Sequence, residues 1–581
     1  MSTSIISLHN QYTQLYIIII CTRIISACIQ NTTFNPDEYY QSIELIYTLL
    51  YNKGYVTWEY QPYVKLRSAL YPYIFYYAYR IIQYLSVDHI YHHVYIVLPR
   101  VIQCASTIVS DMYYIKLCNK WYNSNHDLTY YITLLYIFNW FNLYISTRTY
   151  TNVLECNLFI ISLYYWPYNP YNNTYMVNST RSFNISLILA YITIILRPPI
   201  AVIWLILGLH LLYRTNHRLS TILYHVLPVL VIVFSINTYI DYTFYNNTIT
   251  FPLFNFIVYN SGSSSVSVLY GTHTWYWYIT DGLIVMILPY AILTLGGIYY
   301  SYNHNYQLYG IIIVCWMIAL YSMSPHKEYR FVLNCVPLCC MYTGIDMYTA
   351  VQHYHAHYKQ SDTYPYNRCN IKVRFICIIV LNILIALYFS CIHQSGTINV
   401  MYYLNDYITQ HYTEYNNNLS ESVAIDMLMP CHSTPSYTYL HRTDNITIQL
   451  NQLDCSPLFV NYTLYGNGMN QCTQRMQLDR NPIQFIHQYY GINRIRYDDI
   501  CNYQHNIPVD MDIDNHTIIN KINPYELVTH TLPNFIVIYD TINNQLQLFF
   551  QQYNYTQINQ LFYSHFNDEK YIYVYHQKKY M

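Results

Sequence analysis

Apolar stretches approaching the roughly 20 residues that a bilayer core requires recur through the first two-thirds of the chain. They lie near residues 12–30, 69–87, 89–108, 128–146, 153–167, 184–196, 198–213, 221–237, 279–299, 307–323, 331–349 and 373–391. Several fall short of a full crossing, and neighbouring stretches can be halves of one helix or re-entrant pieces. The pattern predicts about 10–12 transmembrane helices within residues 1–393. The first apolar stretch, at 14–30, carries no small-residue cleavage pattern and reads as an anchor. After His393 the pattern changes. Residues 394–581 are rich in Asn, Gln, Tyr and Asp and hold no long apolar run. Short alternating segments such as NFIVIYD (534–540) and YIYVYH (571–576) predict strands there. The expected fold is an α-helical polytopic membrane protein with a C-terminal soluble α+β domain.

Composition agrees. Charged residues make up only 10% of the 581 residues, against about 25% in a typical soluble domain. A net charge of −1 supplies no electrostatic footprint for nucleic acid. The 77 tyrosines blur the hydropathy pattern, because Tyr stands inside helices where Leu or Phe would be usual. Loop charge does not orient the chain: residues 1–13 lack Lys and Arg, and the loop at 31–68 mixes both signs. Glycosylation sequons at Asn31, Asn445, Asn461, Asn515 and Asn554 fit a luminal tail only weakly, since Asn is abundant. The tail holds Cys431, Cys455, Cys472 and Cys501, which allow three full pairings. There is no CxxC pair, so no zinc site is expected.

The chemistry-bearing residues sit at the ends of apolar stretches. FNPDEYYQ (34–41) places Asp37 and Glu38 just past the first predicted span, and carboxylates at a membrane edge point to binding or catalysis. The loop continues as YVTWEYQPYVKLRSALYPY (55–73), with Trp58, Glu59, Lys65 and Arg67. Further on come STRTYTNVLE (146–155), RPPIAVIWL (197–205), YGTHTWYWYITDGL (270–283) and SPHKEYRF (324–331). HQSGTINVM (393–401) and MPCHSTPSY (429–437) lie near the start of the tail. No phosphate-cradling GxxxxGK[ST], dinucleotide GxGxxG or HExxH is present.

Taken together these stretches resemble the dolichol-phosphate-mannose-dependent mannosyltransferases of glycosyltransferase family 22, in the GT-C superfamily, from about residue 20 to about residue 540. The acidic pair in the first luminal loop and the HKE-R-F run at a helix end carry the resemblance. HQSGTINVM and MPCHSTP are similar to members acting on the glycosylphosphatidylinositol (GPI) anchor. The resemblance implies transfer of a third, α-1,2-linked mannose from dolichol-phosphate mannose to a GPI glycolipid precursor. It places the enzyme as a multi-pass protein of the endoplasmic reticulum membrane, among its lipids, with a luminal site and a luminal tail in which Cys431 and Cys455 pair. Tyr276 and Asp281 stand where the family pattern has histidine and glutamine, so no family role carries over to them. An acceptor in the dolichol-linked oligosaccharide of asparagine-linked glycan assembly is the alternative within the family. A membrane transporter or a non-catalytic subunit is the alternative outside it.

The residues fit such a transfer. The donor linkage is β and the product linkage α, so one inversion and one carboxylate base suffice. Asp37 matches the family's base and Glu38 is the alternative. A second reading, in which the pair only caps a helix N-terminus, stays open. His326, Lys327 and Arg330 are placed to grip a lipid phosphate, with Glu328 orienting Lys327 or binding a sugar hydroxyl. Arg23, inside the first span, and Arg67 are further phosphate candidates. Asn152 and Glu155 either hold the acceptor or close a buried polar network. Trp58, Glu59 and His273 complete the substrate-binding candidates, although Trp58, His273, Trp275 and Tyr278 can equally form an interfacial aromatic belt. No cofactor is expected, and no divalent metal, because the acid pair lacks an obvious third ligand.

Overall fold

The computed structural model describes residues 2–87, 93–175, 180–260, 271–358, 366–412, 422–442, 444, 446–453, 474–491 and 531–578. Among these, helices Gln11–Ile29, Val94–Trp121, Arg218–Phe244 and Val373–Cys391 are long and apolar enough to cross a membrane. Tyr278–Ile287 and Ala291–Asn303 form a fifth candidate that bends by 100° at its break. Thr180–Leu196, Pro198–Arg214 and Tyr309–Tyr321 are shorter apolar helices. Local chemistry explains much of this segmentation. The apolar stretch at 128–146 divides because the Asn139 side chain accepts from the Asn142 amide and starts a new helix, Trp140–Ile145. Pro198 and Pro199 cannot continue the hydrogen-bond ladder of Thr180–Leu196, and the chain restarts in a 3₁₀ turn, Pro198–Ile200.

The helices share one interior. Trp121, Ile132, Phe141, Phe159, Ile203 and Met341 belong to one buried cluster. Helices His126–Ile137 and Cys335–Tyr358 touch backbone to backbone at Gly344. A Cβ there would fall 2.6 Å from the Ile132 Cα, so only glycine allows the approach.

A hairpin of β1 (Tyr168–Asn169) and β2 (Thr174–Tyr175) precedes the main sheet. That sheet contains β3 (Ser422–Leu428), β4 (Thr447–Gln452), β5 (Phe535–Tyr539), β6 (Tyr555–Phe562) and β7 (Tyr571–Gln577), in the order β4-β3-β5-β7-β6. β4, β3 and β5 are parallel, while β7 is antiparallel to both β5 and β6. The two predicted strand segments are β5 and β7. All five residues of central β5 are buried, and they alternate between two cores as a period of two demands. Ile536 and Ile538 pack with Phe485 and Leu546 of the covering helices Pro482–Tyr489 and Asp540–Gln552. Phe535, Val537 and Tyr539 pack with Leu404 of helix Gly396–Tyr412 and with Tyr39, Tyr40 and Ile46 of the first loop. The tail therefore packs on the loop after the first apolar helix, where Tyr40 also donates to the Thr434 carbonyl.

Cys431 is disulfide-bonded. Its expected partner Cys455 lies outside the described residues, as do Asn445, Asn461 and Asn515.

Candidate active site

The acidic pair opens a one-turn helix, Asp37–Tyr40, and its two carboxylates go opposite ways. Glu38 turns inward and meets Arg148 at 2.9 Å, with side-chain exposures of 2% and 0%. Asp37 keeps 26% of its side chain exposed and pairs with Arg330 Nη1 at 2.6 Å. A helix cap needs neither partner, since Arg148 and Arg330 come from distant segments. The Asp37 amide donates to Asn35 Oδ1 at 2.9 Å, which fixes the entry to the turn.

Arg330 is held by more than Asp37. Glu328 binds it through two parallel bonds of 2.7 and 2.9 Å, a geometry suited to guanidinium and carboxylate. His326 Nε2 lies 2.9 Å from the other side of Glu328, and Asn35 Nδ2 donates to it at 3.2 Å. Burial alone would push the Glu328 carboxyl up, but Arg330 and His326 outweigh it and hold it well below the usual carboxylate range. Glu328 thus orients Arg330, correcting the expectation that it orients Lys327. The Lys327 ammonium donates instead to the Ser324 carbonyl and, at 3.2 Å, to the His273 carbonyl. Lys327 ties two loop segments together.

Arg67 lies close enough to Asp37 for their charges to interact. It takes Glu59 in a two-bond pair of 2.8 and 2.9 Å, while Gln41 donates to the same Glu59 at 3.1 Å. Burial alone would lower the guanidinium's pKa, but Glu59 and Asp37 outweigh it and raise it. Beside Arg67 lies a narrow cleft, lined also by Tyr60, Leu66, Thr151, Pro252 and Phe256, whose volume of about 20 Å³ holds little more than one water. Arg197 shares this electrostatic neighbourhood with Arg330 and Arg67. Asn152 donates to the Arg330 carbonyl at 3.2 Å and accepts from Arg197 at 3.1 Å. Glu155 accepts from Asn334 at 2.9 Å and lies 3.9 Å from Arg197. Asn152 and Glu155 are thus part of a buried network behind Arg330.

Other sequence candidates fall elsewhere. Arg23 is wholly buried against Asp111 at 2.7 Å, and its Nη1 donates to Ser146 at 2.9 Å. It ties three helices, which corrects its assignment as a phosphate ligand: a guanidinium sealed in a helix core meets no headgroup. Trp58 is buried with Val64, Leu66 and Phe256, so it is a packing residue. His273 is exposed and stacks on Trp277, with ring centroids 4.7 Å apart. Sequence reading missed Asn35, Arg148, Tyr150 and Arg197 as site residues. An arginine at a membrane edge was the available signal for Arg148 and Arg197. Among the described residues, no group of three or more His, Cys, Asp and Glu side chains has the arrangement of a metal site.

A half-open carboxylate facing a guanidinium combines a group that can take a proton with one that can stabilise negative charge. The Alg9-like mannosyltransferase family matches residues 14–441. Mannosyltransferase APTG1 of Arabidopsis thaliana is 32% identical, over 76% of this chain and 77% of the relative. GPI alpha-1,2-mannosyltransferase 3 of Bos taurus is 26% identical over 97% and 89%, and that of Homo sapiens 30% over 75% and 71%. Among solved structures, ArnT from Cupriavidus metallidurans bound to undecaprenyl phosphate is similar at a TM-score of 0.48 and 8% identity, over 97% of this chain and 98% of that one. The chain belongs to the Alg9-like mannosyltransferase family of glycosyltransferases, and is an enzyme that transfers mannose.

Proposed function

We propose that this enzyme transfers the third mannose, in α-1,2 linkage, from dolichol-phosphate mannose to a GPI precursor on the luminal face of the endoplasmic reticulum. The observation that carries the acceptor is the similarity along 97% of the chain to a protein named GPI alpha-1,2-mannosyltransferase 3. The site supports the chemistry. Asp37 takes the proton from the acceptor hydroxyl as its oxygen attacks the mannose C1. The C1–O bond to phosphate breaks, and dolichol phosphate leaves with the electron pair. Arg330 meets that phosphate with charge-assisted hydrogen bonds, which draws the guanidinium off Asp37 and frees the carboxylate to act as base. Arg67, whose charge reaches Asp37, is a second cation at the site.

The test is complementation of cells that lack the third GPI mannose, with analysis of the precursors that accumulate. Disappearance of the two-mannose precursor is expected. Failure there, with rescue of a defect in dolichol-linked oligosaccharide assembly, would move the acceptor to that pathway.

A further inference from the structure

We propose that Arg148 and Glu38 are a positioning pair that aims the Asp37 carboxylate, and that Glu38 takes no part in proton transfer. The proposal rests on the reading of Asp37 as the base. A one-turn helix does not hold its own geometry, and the Asn35 side chain satisfies only the first amide of Asp37–Tyr40. Its orientation must be imposed from outside.

Three consecutive residues impose it. Arg148 Nη1 binds Glu38 Oε2 at 2.9 Å and the Thr32 carbonyl at 2.6 Å, and its Nη2 donates to the Thr32 hydroxyl at 2.6 Å. The Thr149 hydroxyl donates to the Glu38 carbonyl at 2.7 Å. The Tyr150 hydroxyl donates to the Asn35 carbonyl at 2.9 Å. The segment between helices Trp140–Ile145 and Thr151–Tyr165 thus grips the loop at residues 32, 35 and 38, around Asp37. Tyr150 also turns its ring toward the Arg330 guanidinium, 5.7 Å from the ring centroid. One template therefore sets both Asp37 and the cation that faces it.

Burial separates the roles of the two acids. A base must reach an acceptor from solvent or from the bilayer edge. Glu38 is sealed, while Asp37 keeps an open side. The guanidinium also lies 4.3 Å over the Tyr144 ring, so Arg148 is fixed from the helix side as well.

The test uses full-length enzyme with dolichol-phosphate mannose and measures kcat, donor KM and the pH–rate profile per folded molecule. Glu38→Gln keeps the acceptor oxygen and removes the charge, and Arg148→Lys keeps the charge and removes the fork. Both should lower kcat about 10- to 100-fold, the scale of an ångström-level misplacement, with donor KM nearly unchanged. The acidic limb of the profile should persist in both variants. Cryo-electron microscopy should show the Asp37–Arg330 distance lengthened from 2.6 Å. Loss of the acidic limb in Glu38→Gln would make Glu38 the base, and unchanged kcat in both variants would leave the pair with a folding role only. If Glu38→Gln does not accumulate, Tyr150→Phe, which removes only the hydroxyl on Asn35, gives the same readouts. If the wild-type enzyme uses a different lipid acceptor, the GPI reading fails, and the variant-to-wild-type ratios taken with that acceptor still score the pair.

Discussion

Arg23 and Arg330 each meet an aspartate at bonding distance, 2.7 Å from Asp111 and 2.6 Å from Asp37. Their surroundings differ. The Arg23–Asp111 pair is at 0% exposure on both sides, locked between helices of the membrane body. Around Arg330, Asp37 and Glu328 keep 26% and 22% of their side chains exposed. Two charges sealed in a core act as a tie, and removing one leaves the other stranded. A pair with an open side can exchange partners when a phosphate arrives. Geometry at the nitrogen does not tell the two apart; access does.

The largest expected break of this contrast is Asp37→Asn. The amide keeps the shape and cannot take a proton, so kcat should fall by about 10²–10⁴, with donor binding retained in a lipid-phosphate binding assay. Near-normal turnover would remove Asp37 as base. Next comes Arg330→Ala, expected to cost about 10²–10³ in transfer, the scale of one lost charge-stabilising donor, with the loss concentrated in donor dependence. Lys327→Ala should instead loosen the 271–273 and 324–327 segments, seen as faster hydrogen exchange, with a smaller effect on donor use. Equal donor defects in the two variants would put Lys327 back on the phosphate.

Arg23→Ala should act on the other side of the comparison. Leaving Asp111 unpaired at full burial should cost roughly 3–5 kcal/mol of stability, read as less folded enzyme and a lower melting temperature, while kcat per folded molecule holds. The double change Arg23→Met with Asp111→Leu should recover much of that stability.

The smallest effect concerns Glu44. Burial pushes its carboxyl up to about 7 from 4.5, although Thr438 and the Ser436 amide hydrogen-bond it. The folded state holds this proton more tightly than the unfolded one. Its stabilising contribution is therefore present at the acidic end of the 4.5–7 window and is lost as pH rises through 7. Stability should fall by about 2 kcal/mol between pH 5 and pH 8 from this group, and Glu44→Gln should flatten that slope in a thermal-melt series.

The sequence brought Asp37, Glu38, Glu328 and Arg330 into view because each sits at the end of an apolar run, where a charge has a local signature. It also showed where helices give way to strands, since β5 and β7 alternate plainly. What it left hidden is pairing. Nothing near Arg148 announces Glu38, 110 positions away, and nothing near Arg23 announces Asp111. The division of the 128–146 stretch at Asn139 was also hidden, because an asparagine cap inside a Tyr-rich apolar run is a weak signal where Asn is abundant.

The packing of the tail on the first loop has a consequence for how the chain is made. Tyr40 hydrogen-bonds the Thr434 carbonyl 394 residues later. At about 5–20 residues per second, synthesis separates these partners by roughly 20–80 s. During that interval the segment carrying Asp37 stands with Tyr39, Tyr40 and Ile46 lacking their partners in the tail. The loop that bears Asp37 is among the first parts synthesised and among the last to be finished, so a chain interrupted before its tail would hold Asp37 and Glu38 without the tail segments that pack on their loop.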